Sequence, residues 1–560
     1  MPTLKTLRAW LPALVIGIAF LWSSLYILAR HREQSPPGTV TIRIGHWQLE
    51  AGVRDGFNQL AREYQRIHPN VRVVQDAIPE ATYGQWMTTQ LMGGTAPDLM
   101  EIGMLPDSIL IGYQARYFVP LSFLAGRPNP YNKGSALERT PFRQTFKDGM
   151  RSGYVPELQQ YMRIGLAQFG ERIFYNKTLL KQLTGRDRAP TEYREFLATC
   201  GEIKRHKTAD GKWYVPIASS KYHLWMWEML MADILTYPAL AKMDFNRDGN
   251  VDQFEHYIAF KTGRMTFEHP AYRARFKMFR EIADNFQPGW SGLSRDEALF
   301  QFAQQRAVFI STGSWDARSL QAQAEGRFEV GVLDYPRPKP EDPEYGQFVS
   351  GPAYEMPWTG FPFGLARTSK HPDIALDFLL FLSSQKVNER FNRIIGWVPA
   401  IVRTQMDPML QAFDPHLEGV YGVMFFFVGG NTQVRWTQDY SLFQIGQISY
   451  EDLAKRFGPY YREQGLKDYE EVQRDWRRTI LIDESFLSGI RGKALLLRGQ
   501  AAQQQWIKYR ALTASRLILP EVSHARQVQM VKGQTDLGTV GPYEYSPEVL
   551  KRIQARLGGA

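Results

Sequence analysis

An α/β architecture built in more than one domain follows from two features of this sequence. Strand-patterned and helix-patterned segments alternate between residues 39 and 103, and the chain runs to 560 residues. Alternation of that kind packs helices on the faces of a parallel sheet. A chain of this length exceeds what one compact core accommodates, so two or three domains are expected.

The alternation is explicit residue by residue. Residues 39–45 (Thr-Val-Thr-Ile-Arg-Ile-Gly) are β-branched and alternating, which reads as a strand. Phe57, Leu60, Ala61, Tyr64 and Ile67 then recur at helical spacing, and His68-Pro69-Asn70 closes that helix. Residues 71–74 form a second strand, 83–92 a second helix broken by Gly93-Gly94-Thr95-Ala96-Pro97, and 98–102 a third strand. In such sheets a ligand lies beyond the carboxyl ends of the strands. Those ends are His46-Trp47-Gln48, Ile78-Pro79-Glu80 and Gly103-Met104.

Composition narrows the class. A hydrophobic share of 44% and a charged share of 22% are those of a folded globular chain, not a disordered one. The aromatic share of 13% leaves rings available to line a cleft as well as a core. The net charge is +10, but no Lys/Arg-rich run marks a nucleic-acid site, so no nucleic-acid partner is expected. Cys200 is the only cysteine, which excludes an intrachain disulfide and a thiolate metal cluster. It follows Phe196 and Leu197 on an apolar helix face and reads as a buried, inert thiol.

Lys5 and Arg8 precede an apolar run over residues 9–29. About 20 such residues suffice to span a bilayer. A cleavable signal peptide is the rival reading, but the run ends Leu-Tyr-Ile-Leu-Ala-Arg-His-Arg, a poor A-x-A-like cleavage site. The expectation is an uncleaved transmembrane anchor with its linker over residues 1–36, and an exported body.

Further along, residues 117–121 read as the end of a packed helix, and 129–150 as a polar, turn-rich surface insertion. Residues 172–177 (Arg-Ile-Phe-Tyr-Asn-Lys) run from strand into helix. At 189–196 a helix starts, with Pro190 before it, Thr191 placed to cap it and carboxylates in its first turn. Residues 307–315 form a buried strand ending in Gly313-Ser314-Trp315, followed by a strand at 329–333 and a Pro-rich loop from 335 to 357. Phe363-Gly-Leu-Ala366 then leads into a helix over 372–383, ahead of Gly396-Trp-Val-Pro-Ala400.

Taken in order, these pieces resemble the extracellular solute-binding proteins of ABC importers, in particular the maltose-binding-like carbohydrate group. The resemblance rests on the opening strand and helix, Gly94-Thr-Ala-Pro-Asp-Leu99, Phe174-Tyr-Asn-Lys177, Ala189-Pro-Thr-Glu-Tyr-Arg-Glu-Phe196, Gly313-Ser-Trp315, Ala375-Leu-Asp-Phe-Leu379 and Gly396-Trp-Val-Pro-Ala400. It covers about residues 38 to 475. It implies a two-lobe periplasmic-binding-protein fold, hinged, with an interlobe cleft that closes on ligand. The N-terminal lobe would comprise 37–158 plus about 359–393, and the C-terminal lobe 159–358 plus about 394–475. It places Trp47, Gln48, Tyr83 and the 103–107 turn on the N-terminal wall of the cleft. Tyr161, Arg163 and Trp315 fall on the opposite lobe, and Trp358 and Trp397 lie in loops near it. Flat aromatics with a few charged or amide groups also suit a sugar, which offers apolar C–H faces and a ring of hydroxyls.

Residues 244–255 fit the EF-hand loop pattern D-x-[DN]-x-[DN]-G-x₅-E. Asp244, Asn246 and Asp248 present side-chain oxygens from alternate positions. Gly249 takes the sharp turn, Asn250 offers its carbonyl, Asp252 ligates directly or through water, and Glu255 closes the site with two oxygens. One such loop predicts a single structural calcium ion rather than a switch.

Residues 476–560 carry 13 Lys/Arg against 6 Asp/Glu and lie beyond the resemblance. A long helix is expected from 490 to 519, stopped by Pro520, with a loose Gly/Pro-rich stretch at 533–545. This reads as a helical extension packed on the second lobe, with a membrane-docking surface as the sharper alternative. The function implied is a monomeric, membrane-tethered, extracytoplasmic receptor that delivers a carbohydrate to an ABC permease. An exported glycoside hydrolase or lyase is the alternative, with Glu80, Glu101, Asp107 and Asp316 as candidate carboxylates; no spacing singles out a pair. The sequence has no G-x-S-x-G, H-E-x-x-H or P-loop. A sugar-binding module reporting to a sensor is the third reading.

Overall fold

β1 (Val40–His46) inserts Ile42 and Ile44 into the core, and α1 (Val53–Ile67) lays Val53, Phe57, Leu60 and Tyr64 over them. β2 (Val71–Ala77), α2 (Glu80–Gly93), β3 (Leu99–Glu101) and α3 (Asp107–Tyr117) complete the first block. β1 pairs in parallel with both β2 and β3, as the alternation requires. The computed structural model describes residues 38–516 except 106, 156–157, 159, 241, 246–250, 356–357, 417 and 419–425, together with residues 17 and 21–23. The expected anchor at 9–29, residues 17 and 21–23 apart, and the segment 517–560 lie outside the described residues. Among the described residues no helix is long and apolar enough to cross a membrane.

Residues 129–150 are not the surface insertion that their polarity suggests. Leu137, Phe142, Phe146 and Met150 are buried in the N-terminal core. The asparagines serve packing: Asn129 donates to the Leu380 carbonyl at 2.8 Å, and Asn132 accepts from the Gln385 amide at 2.8 Å.

The chain crosses to the second lobe through β4 (Ala167–Phe169) and enters β5 (Glu171–Asn176), α4 (Lys177–Thr184) and α5 (Tyr193–Ile203). Thr191 does not cap α5. Glu192 holds the cap position, and Glu195 reaches back to accept the Thr191 amide at 3.2 Å, so the hydroxyl is not needed there. Then come β6 (Val215–Ala218), a run of short helical turns over 224–240, α6 (Gln253–Lys261), α7 (Pro270–Ala283), α8 (Arg295–Ala303), β7 (Ala307–Gly313), α9 (Ala317–Ala324) and β8 (Val330–Leu333). The sheet order is β8-β5-β7-β6, with β6 parallel to β7 and the other pairs antiparallel.

The return passes through β9 (Trp358–Gly360) to β10 (Phe363–Leu365), which adds an antiparallel edge to the first sheet, giving β10-β3-β1-β2. α10 (Pro372–Leu382) and α11 (Gln385–Ile395) pack beside α1, while α2 and α3 cover the other face. β11 (Val398–Pro399) then joins β4 and β9 in a separate three-stranded sheet. The crossings between lobes are thus tied together in one narrow ribbon, the natural place for a hinge.

α12 (Gly430–Gln444) and the first half of α13 (Tyr450–Leu496) close the C-terminal lobe, with Leu453, Phe457, Tyr461 and Tyr469 in its core. α13 has 47 residues, about 70 Å at 1.5 Å per residue. The single helix expected over 490–519 is broken: Gly499, at φ 59°, turns the chain into α14 (Gly499–Arg516), which folds back on α13.

Candidate ligand-binding cleft

Strand directions bring the candidate residues together. In the N-terminal sheet, β1, β2 and β3 all end on one edge, presenting Trp47, Gln48, Glu50, Glu80 and Gly103. In the C-terminal sheet, β7 and β6 end where β5 begins, because Glu171 pairs with Gly313 and β6 runs parallel to β7. That edge carries Phe169, Glu171, Ser219, Ser220, Tyr222, Ser314, Trp315 and Asp316. The two edges face each other. Trp315 packs against both lobes' cores, and Glu50 and Glu80 act electrostatically on Arg295, Asp316 and Tyr222 across the gap.

An aromatic wall stands on the C-terminal side. Phe169 meets Trp315 edge-on at 5.1 Å and lies parallel to Trp358, with centroids 6.4 Å apart. The Trp315 ring lies where a Cβ on Gly313 would sit, 2.2 Å from it, so only glycine fits at the strand's end. Trp358 is 36% exposed.

Polar groups with no partner among the described residues cluster at the same edges. They are Glu50 Oε2, Glu171 Oε1, Ser219 Oγ, His223 Nε2, Arg295 Nε, Ser314 Oγ and Trp315 Nε1. Burial raises the Glu50 carboxyl above its ordinary range and pushes Glu171 up to about 7. His223 is driven down to about 3, first by burial and then by Arg295, so it is neutral and its Nδ1 shares a 2.9 Å hydrogen bond with Ser220 Oγ. Arg295 pairs with Asp316 and lies over the Tyr222 ring at 5.6 Å, while Asp316 also accepts from Thr312 Oγ1 at 2.6 Å.

The sequence-derived residues divide. Trp315 and Trp358 stand in the wall. Gln48 is tied into the N-terminal edge: its amide donates to Glu101 Oε1 at 3.0 Å, and Glu101 Oε2 takes the Trp47 amide at 3.1 Å. Trp47 lies over Gly103 and edge-on to Tyr83 at 5.0 Å. Tyr83 itself is core: it is fully buried, and its hydroxyl donates to the Glu101 carbonyl at 2.8 Å. Trp397 is 2% exposed, packs on Phe361 at 5.0 Å and only borders a cavity of about 560 Å³ between α9 and α11. Tyr161 and Arg163 belong to the N-terminal side, not the opposite lobe. Tyr161 packs on Tyr154 and its carbonyl accepts the Leu121 amide, while Arg163 Nε donates to the Ser152 carbonyl at 2.9 Å. Reasoning from sequence missed Glu50, Glu171, Tyr222 and Arg295. A carboxylate opening the apolar strand Glu171–Asn176 was the one local signal available.

Two other places gather charged groups. Asp334, Glu355 and His416 bring ligand atoms within 4.8 Å of one another. Arg172 and Arg337 both pair with Glu355, at 2.9 and 3.2 Å, and flank Asp334, so this is a closed charge network rather than a vacancy for a cation. In the 244–255 loop, Asn246, Asp248 and Asn250 lie outside the described residues. Glu255 is fully buried, accepting the Phe245 amide at 2.7 Å and the Asp252 amide at 3.1 Å, and Asp252 caps α6. A hollow of about 830 Å³ runs along the open edge of β2, lined by Arg43, Arg54, Arg72 and Gln75, which belong to neither facing edge.

Known proteins share this architecture. The model of a family described as bacterial extracellular solute-binding protein matches residues 59–417, well over half of the chain. A multiple sugar-binding protein of Streptococcus mutans is 21% identical over 401 residues, 70% of this chain and 83% of that protein. The solute-binding protein RafE in complex with raffinose superposes with a TM-score of 0.53 at 19% identity, covering 75% of this chain and 99% of that one. The maltose/maltodextrin-binding domain MalE of Bdellovibrio bacteriovorus, bound to maltotriose, gives a TM-score of 0.50 at 15% identity, covering 77% and 100%.

Proposed function

Because the chain belongs to the bacterial extracellular solute-binding proteins, we propose that it captures an oligosaccharide-like carbohydrate between its lobes and delivers it to the permease of an ABC importer. It acts as a receptor and not as an enzyme, in keeping with its relatives. The observation that carries the sugar assignment is the meeting of two sheet edges around Trp315, with unpartnered polar groups on both sides. Burying a polar group without a hydrogen bond costs about 1–3 kcal/mol. A sugar relieves that cost with its hydroxyls at Glu50, Glu171, Ser219 and Ser314, while its C–H faces stack on Phe169, Trp315 and Trp358. The names of the relatives, which speak of multiple sugars, raffinose and maltotriose, point the same way.

The lining also selects by charge. Glu50 and Asp316 act on Arg295, which Asp316 already engages, and Glu80 and Glu171 add carboxylates at the same edges. A neutral or amine-bearing sugar is favoured, and phosphorylated or carboxylated sugars are repelled. Arg163 does not add a cleft cation, since its Nε donates to the Ser152 carbonyl within the N-terminal lobe.

The family implies an extracytoplasmic location. Within this reading the apolar run 9–29 tethers the protein to the membrane. The 244–255 loop holds one structural calcium. In its support, the buried Glu255 carboxylate lies within the loop's own turn, accepting the amides of Phe245 and Asp252.

A thermal-shift screen of the purified protein against neutral and acidic oligosaccharides tests the assignment. A ligand at 100 times its Kd stabilises by about 2.7 kcal/mol. Neutral sugars are expected to raise the Tm and to be recovered intact. A sugar returned cleaved, or no shift with any sugar, overturns it.

A further inference from the structure

The C-terminal hairpin presents a surface that ligand capture does not use. α13 packs on the C-terminal core as far as Val472, then runs on to Leu496 for about 36 Å at 1.5 Å per residue. α14 packs back along it through Leu487, Ile490 and Tyr509. Among the described residues, that pairing buries one stripe. Leu495 is 67% exposed, Leu496 85%, Leu497 43%, Ile507 61% and Phe486 51%. Isolated exposed leucines are ordinary on a protein surface, but three in succession at the end of a projecting helix form a patch.

The charge around this patch has one sign. Residues 485–516 contain Arg491, Lys493, Arg498, Lys508, Arg510 and Arg516 and no Asp or Glu. Arg491, Lys493, Arg498 and Arg510 are exposed. Lys508 is held below its ordinary range by burial and then by Arg367 of the N-terminal lobe, so the hairpin passes near that lobe. Trp506 and Tyr509 stand half-buried on α14, the side-chain types that settle at the level of lipid headgroups.

We propose that the tip of the α13–α14 hairpin docks on an anionic lipid bilayer, with Leu495, Leu496 and Leu497 entering the acyl boundary and Arg491, Lys493 and Arg498 meeting the headgroups. A second copy of the chain is disfavoured as the occupant, because it would bring the same uncompensated positive charge against itself. An anionic bilayer supplies apolar depth and negative charge together, and each basic residue near such a surface adds to the attraction.

Leu496→Cys places a label at the most exposed of the three leucines. The native Cys200 is buried and its thiol is pushed far up by burial, so labelling is specific. The full-length protein, carrying an environment-sensitive fluorophore at this site, is reconstituted into phosphatidylcholine vesicles with and without phosphatidylglycerol. Both vesicles hold the rest of the chain alike, so the difference between them reports the tip. We expect a blue shift and loss of iodide quenching only with phosphatidylglycerol, reversed by high salt. The triple change Arg491→Gln, Lys493→Gln, Arg498→Gln is expected to reduce that response severalfold. Equal quenching in both vesicles contradicts the proposal. So does a response that the triple change leaves intact. A label already shielded before lipid is added contradicts it too, since another part of the chain or a second copy would then cover the tip.

Discussion

Glu101 joins the core of the N-terminal lobe to its cleft edge. Burial pushes its carboxyl up to about 8, although hydrogen bonds from Gln48 and the Trp47 amide favour the charged form. A carboxyl raised above its unfolded value near 4.5 binds a proton more tightly in the folded state. Its contribution to stability is therefore complete below about pH 4.5 and is lost as pH rises through about 8. Urea melts of the wild type should show stability falling between about pH 5 and pH 8, and Glu101→Gln should flatten that part of the profile. An unchanged slope in the variant would mean that Glu101 does not titrate as its burial requires. At this scale the sequence was half legible. The resemblance carried by Gly313-Ser314-Trp315 put Trp315 at the cleft, and the structure sets it between the cores of the two lobes. Tyr83 and Trp397 share the residue types of a sugar platform, but helix packing and the hinge ribbon bury them. Glu50, Glu171, Tyr222 and Arg295 come from four separate segments, so no local pattern could have gathered them.

At the scale of elements, periodicity carried most of the information. The first five elements alternate as expected, with β2 extending to Ala77 rather than ending at Val74, since it is paired along its whole length with β1. Failures came where one short-range contact or backbone angle outweighed the residue pattern. Glu195 displaced Thr191 at a helix start, and Gly499 broke a helix that its flanking leucines would have continued. The loop at 244–255 leads straight into α6, whose Phe254, Tyr257, Ile258 and Phe260 are buried, with Phe254, Tyr257 and Phe260 in the core shared with α13. If it holds calcium, the ion is linked to the stability of the whole lobe, and chelation should lower the Tm by several degrees while one equivalent of calcium restores it. Glu255→Gln should remove the dependence on calcium. A Tm that chelator leaves unmoved would return the loop to being a turn capped by Asp252 and Glu255.

For the whole molecule, the arrangement of two sheets with parallel strand ends facing one another explains why the chain crosses between lobes through a thin ribbon of β4, β9 and β11. A ribbon of short strands can bend without disturbing either core, whereas the wide sheets cannot. Each lobe is assembled from distant segments, and the placement of Tyr161 and Arg163 illustrates what that hides. Their position in the sequence suggested the second lobe, but the chain has not yet crossed when it reaches them. The measurement that bears most directly on the central claim is a calorimetric titration of wild type and Trp315→Ala with the neutral oligosaccharide that shifts the Tm most. The account predicts saturable binding at one site per chain in the wild type. It predicts a loss of affinity of at least tenfold in Trp315→Ala, about 1.4 kcal/mol or more, with the fold retained. Full affinity in Trp315→Ala, or an absence of saturable binding in the wild type, would contradict it.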